Sequence, residues 1–116
     1  MRKIILALMF PLLLTPAQAE NPPTVREFLS GDGGQEAEIA AKTYISGVIA
    51  GYQIANVMMK QSGFPQLFCP PDNWSLGSDQ YVNFIQSSVR RRPKLLESSL
   101  AIALLSEFQL KFPCRP

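Results

Sequence analysis

The sequence predicts a small all-α domain of four helices, with one disulfide joining its central loop to its C-terminus. Three observations predict it. Ala41, Ile45, Val48, Tyr52, Ala55 and Met59 recur at alternating steps of four and three, which lays one apolar stripe along a helix. No stretch carries a strand pattern, and no repeat or linker divides the chain. Cys69 and Cys114 are the only cysteines among 116 residues, and an even count in a small exported domain reads as a bridge.

Export is itself an expectation from the first segment. Arg2 and Lys3 precede an apolar run over 4–14 broken only by Pro11, and Ala17-Gln18-Ala19 has the small-x-small form of a cleavage site. Residues 1–19 read as a signal peptide cleaved after Ala19, and 20–116 as the helical domain, delivered to the periplasm. The apolar run is too short to cross a bilayer core, so no membrane span is expected after cleavage. Without Arg2 and Lys3, nine basic residues face nine acidic ones. That balance argues against a nucleic-acid partner. The count of zero histidines removes Ser-His-Asp and Cys-His nucleophiles and histidine-dependent zinc sites. No catalytic residue, metal or cofactor is expected.

Each element has its own local cause. Thr24-Val25-Arg26-Glu27 has the form of a capping box and starts a short helix that stops at Ser30-Gly31-Asp32-Gly33-Gly34. The long striped helix runs from 35 to about 61, where Ser62-Gly63-Phe64-Pro65 ends it. The loop over 64–74 holds three prolines and Cys69, and its Cys69-Pro70-Pro71-Asp72-Asn73 centre is stiff and non-helical. Ser75 is the expected N-cap of a third helix through about 91, burying Leu76, Tyr81, Val82, Ile85 and Val89. Pro93 breaks it. A fourth helix is expected from about 96 to 112, apolar around most of its circumference. The bridge between Cys69 and Cys114 would close a loop of about 45 residues, worth roughly 4 kcal/mol on chain-entropy grounds.

Three features invite a functional reading. Gly47 and Gly51 lie one turn apart inside the long helix, each costing about 1 kcal/mol relative to alanine. Close packing against another helix of the chain is the expected return, with self-association into a homodimer as the alternative. Arg90-Arg91-Arg92 closes the third helix, where cations complement the dipole, and arginines also fork onto the carboxylates of a partner. Glu97 and Glu107, read as ten apart on one helix, would stand about 15 Å from each other, too far to act on one bond. No enzyme is predicted.

One family shares the order of these pieces. Tyr44-Ile45-Ser46-Gly47-Val48-Ile49-Ala50-Gly51 resembles the Y-x-x-G-x-x-x-G segment of the Rap/Tai immunity proteins of type VI secretion systems. Phe68-Cys69-Pro70-Pro71, then Trp74-Ser75-Leu76-Gly77 and Tyr81-Val82, resembles that family's F-C-x-P followed by a helix start of the S/T-L-G kind. Arg92-Pro93 before the last helix, and Phe108 through Phe112-Pro113-Cys114, are similar in the same way. Leu29 and Ile45 stand where the family commonly has a second cysteine pair. The resemblance implies a periplasmic inhibitor that binds a secreted cell-wall amidase effector and occludes its active site. The contact surface is then expected in the exposed loops: Phe64, Gln66, Asp72 and Asn73, with Arg90, Arg91, Arg92 and Lys94. Two alternatives stand beside it, a small acid-stress chaperone and a helical binding module of another kind. A chaperone without histidine would rest its acid response on carboxylates alone.

Overall fold

α1 (Val25–Ser30) begins at the capping box. The Thr24 hydroxyl accepts from the Glu27 N–H at 3.2 Å, and the Glu27 carboxylate accepts from the Thr24 N–H at 2.8 Å. Two backbone donors that a helix start leaves orphaned are thereby satisfied. Gly31 ends the helix at φ 68°, and Gly33 at φ 102° turns the chain into α2 (Gly34–Gln61). Side chains with a Cβ rarely adopt those angles, which is why glycines fill this turn.

The computed structural model describes residues 21–75 and 77–115; the expected signal segment and Leu76 lie outside them. Among the described residues there are four α-helices, one short 3-10 turn, no strand and one disulfide, which is the small all-α class expected. None of the helices is long and apolar enough to cross a membrane.

α2 is 28 residues long, about 42 Å at 1.5 Å per residue. Its stripe faces inward as the spacing predicts. Ile45 is fully buried, while Ala41, Val48, Tyr52, Ala55 and Met59 are half-buried.

α3 (Ser78–Arg91) starts two residues later than the Ser75 cap predicts. Gly77 is the N-cap, and the Gln80 side chain accepts from the Gly77 N–H at 2.6 Å. Ser75 is exposed and outside the helix. Gln80, the reciprocal half of a capping box, therefore sets the start rather than the first serine.

α4 (Leu100–Lys111) also starts later than expected. Pro93–Glu97 forms the 3-10 turn instead, Ser98 is extended, and the Ser99 hydroxyl caps the Ile102 N–H at 3.4 Å. Glu97 and Glu107 are thus on different elements. The cause is non-local. Thr24 and Ser99 pair as an antiparallel bridge, with Val25 N–H donating to Ser98 C=O at 3.0 Å and Leu100 N–H donating to Pro23 C=O at 2.8 Å. This clasp holds two helix starts side by side and keeps 98 and 99 out of any helix.

α4 runs through the middle of the core. Leu100, Ala103, Leu104 and Phe108 are fully buried on it, against Ile45 and Ile49 of α2 and Tyr81 and Ile85 of α3. Leu29 packs against this same cluster. Phe108 is the hub, with ring centres of Phe68, Trp74 and Phe84 at 5.1, 5.4 and 5.4 Å. Such offset and edge contacts add to the energy of burial.

Candidate functional site

The proline-rich loop over 64–74 is fastened to the core by four separate attachments. Cys69 is bridged to Cys114, with Cα atoms 4.9 Å apart. The Cys69 N–H donates to Phe112 C=O at 2.8 Å. Phe68 is buried against Phe108, and Trp74 meets Phe108 and Phe112 edge-on. The fourth is a side-chain clamp from α2: Asn56 Nδ2 donates to Phe68 C=O at 2.9 Å, and Asn56 Oδ1 accepts from the Leu67 N–H at 2.7 Å. Asn56 is buried and uses both ends of its amide, so the loop's backbone is satisfied where it enters the core.

What remains outside is a short rigid rim. Phe64, Pro65, Pro71, Asp72 and Asn73 are exposed. The Trp74 N–H donates to Pro71 C=O at 2.9 Å and closes a turn with Asp72 and Asn73 at its tip. Gln66 differs from this group. It is half-buried, with its carbonyl oxygen 3.6 Å from the Cys114 sulfur, and so it backs the bridge rather than projecting from the loop.

The arginine run divides in the same way. Glu107 of α4 is buried, and its carboxylate takes Arg91 at 3.3 Å on one oxygen and Arg92 on the other. Arg91 reaches Ser88 Oγ as well, and Arg92 reaches Ser106 Oγ, each at 3.4 Å. A buried carboxylate is tolerable only with such counter-charges. Arg91 and Arg92 therefore hold α3 to α4. Among the described residues, Arg90, 3.5 Å from Ser87 Oγ, and Lys94 on the 3-10 turn are exposed cations without a carboxylate in reach.

Gly47 and Gly51 correct the expectation of close packing within the chain. Both are exposed, and a Cβ added at either would meet nothing within 4 Å. The stripe that packs lies on the opposite side of α2.

Two grooves flank α3, each of about 730 Å3. One lies toward α1 and α2, with Phe28, Leu29 and Val82 in its lining. At its rim Lys42 bonds Glu38 at 2.8 Å and Asp79 at 3.1 Å, and these partners raise the Lys42 pKa above 10.5. The other lies toward α4, where Lys111 sits over the Phe84 ring at 5.1 Å beside the Arg91–Glu107 pair. Among the described residues no group of three or more Cys, Asp or Glu side chains is placed to hold a metal ion. Tyr52 donates its hydroxyl to Ala101 C=O at 2.6 Å, and burial raises its pKa above 10.0.

Sequence reasoning missed Asn56 and Glu107. Each had a signal: a polar residue beside Ala55 on the inward face of a striped helix, and an acid between Leu104 and Phe108 in an apolar one. The arginine run 15 to 17 residues upstream was the counter-charge that such an acid requires. Comparison of the chain with protein-family models, with curated proteins and with solved structures finds no match.

Proposed function

We propose that this chain is a stoichiometric protein inhibitor, exported to the periplasm, that occludes the active site of a secreted cell-wall amidase. The observation that carries the reading is the pinned loop over 64–74, which coincides with the Phe68-Cys69-Pro70-Pro71 segment resembling the Rap/Tai immunity proteins. An inhibitor of this kind makes and breaks no bonds. It must present a shape that fills a groove without losing entropy on binding, and a loop already held by a disulfide, an amide clamp and two aromatic anchors has little left to lose. Phe64 supplies an exposed apolar anchor beside the polar tip at Asp72 and Asn73. Arg90 and Lys94 add charges that a partner's carboxylates can meet.

The test is capture of periplasmic proteins on the tagged oxidised chain, followed by assay of each captured enzyme. The expected result is one dominant peptidoglycan amidase, silenced at a one-to-one ratio near neutral pH. Capture of many unrelated proteins only at acidic pH would instead favour the chaperone reading. An amidase whose activity the chain leaves unchanged would overturn the proposal.

A further inference from the structure

Of the two grooves that flank α3, the one toward α1 and α2 joins an apolar floor to an acidic rim. Phe28, Leu29 and Val82, all half-buried, belong to the floor. Glu27, Asp32, Glu38 and Asp79 stand exposed around it, and Lys42 is the one cation in the described lining. Four of the chain's nine acidic residues thus gather at one groove. Away from it, Glu97 is matched by Arg26, and Glu107 by Arg91 and Arg92. Here a single ammonium serves both Glu38 and Asp79, and among the described residues no cation pairs with Glu27 or Asp32. The carboxylates do not converge on a point, since among the described residues no three acids are placed to hold a metal ion. What they surround is an apolar surface, bounded by Gln35 to Lys42 of α2 and Asp79 to Gln86 of α3, each about 10 Å of helix. Lys42 shows what this setting accepts: its side chain is only 35% exposed, with its ammonium bonded to a carboxylate on α2 and another on α3.

We infer that this groove docks a partner protein through a basic amphipathic segment. Lysine or arginine side chains of the segment meet the rim carboxylates, and its apolar side chains cover Phe28, Leu29 and Val82. Charge selects the partner. Four carboxylates against one ammonium leave three negative charges uncompensated, and a segment carrying several cations is steered toward them and fixed in register by them. The floor selects its form. A bare ion has no use for apolar surface, whereas a segment with alternate or periodic apolar residues removes that surface from water. A length of about 10 Å matches roughly three extended residues or two helical turns, so a short stretch of chain fills the groove. The entrance is clear as well. Gly31 and Gly34 line it without side chains, and a Cβ at either would meet nothing within 4 Å. The inference uses no residue of the loop over 64–74 and is independent of the inhibitory reading.

Nuclear magnetic resonance titration of the oxidised, isotope-labelled protein tests it. The probe is an acetylated and amidated heptapeptide of alternating lysine and leucine, with lysine at both ends. Amide shifts are expected within 27–42 and 79–86 and not beyond. Exchanging the peptide's lysines for glutamates should abolish them. Exchanging its leucines for serines should weaken binding at least tenfold, because charge alone then remains. In the protein, Asp32→Asn together with Glu38→Gln should also weaken binding at least tenfold. Glu36→Gln, at an exposed acid outside the lining, should change it less than twofold. All three positions are exposed, so the thermal midpoints of these variants should stay close to the parent's. An absence of shifts, shifts centred elsewhere, or equal binding of the serine peptide would overturn the inference.

Discussion

The two faces of α2 have similar chemistry and opposite fates. The inward face holds Ile45, Ile49 and the Asn56 clamp; the outward face holds Ile39, Ile54, Val57 and two glycines where an added Cβ would meet nothing among the described residues. Periodicity identifies residues that share a side of a helix, but it does not say which side the rest of the chain will cover. Here the inward face wins because it bears the larger continuous set, and because Tyr52 and Asn56 on it carry hydrogen bonds to α4 and to the central loop. The outward face has apolar side chains without any such polar anchor.

Truncation of one isoleucine on each side breaks the comparison most sharply. Ile45→Ala removes a fully buried side chain and should cost about 4 kcal/mol of folding stability. Ile54→Ala, exposed, should change it by about 0.5 kcal/mol or less. Urea denaturation of both variants at low protein concentration measures the contrast, and equal losses would mean that the outward face is covered in solution.

A smaller effect isolates the polar anchor. Asn56→Ala leaves the Leu67 N–H and the Phe68 C=O without their partner, which should cost about 2 kcal/mol. Amide exchange at Leu67 should quicken in this variant more than exchange within α2. Uniform acceleration would show that the loop and the helix open as one unit.

The smallest expected effect is on the pH dependence. The raised pKa of Tyr52 means that the folded protein holds the phenolic proton more tightly than the unfolded chain does. Its contribution is therefore complete below about pH 10, the unfolded value, and is lost as pH climbs through the higher folded one. Lys42, raised from 10.5 by Glu38 and then Asp79, acts in the same direction. Tyr52→Phe should lower stability by about 1 kcal/mol at neutral pH through loss of the bond to Ala101. It should also flatten the fall in thermal midpoint above pH 10, and an unchanged alkaline slope would assign that fall to Lys42 and to Tyr81, whose pKa burial also raises.

How much of this was legible in the sequence depends on how far each cause reaches along the chain. The capping box at Thr24 and Glu27 is complete within four residues, and the helix starts where it says. The disulfide was legible from the cysteine count together with the expected export. The starts of α3 and α4 were not. Ser75 stands ahead of a helical pattern and Ser99 inside the expected fourth helix, yet only Ser99 caps. What distinguishes it is the pairing with Thr24, contributed from the far end of the described chain. The arginine run likewise reads as a free cluster until α4 sets Glu107 beneath two of its three members. Of the expected contact residues, Phe64, Asp72, Asn73, Arg90 and Lys94 are exposed and uncommitted, whereas Gln66, Arg91 and Arg92 are engaged within the molecule.

The clasp between 23–25 and 98–100 also bears on the order of folding. Its two hydrogen bonds join segments that are distant along the chain, with all of α2 and α3 between them. They gain nothing until both helices are in place, because the entropy of closing so long a loop must be met first. The clasp is therefore expected to form late, which would make the Val25 and Leu100 amides it shields reporters of the finished molecule. Exchange at those two sites will follow whole-chain opening, while the far end of α2, which lies outside the clasp's contacts, is free to fray on its own.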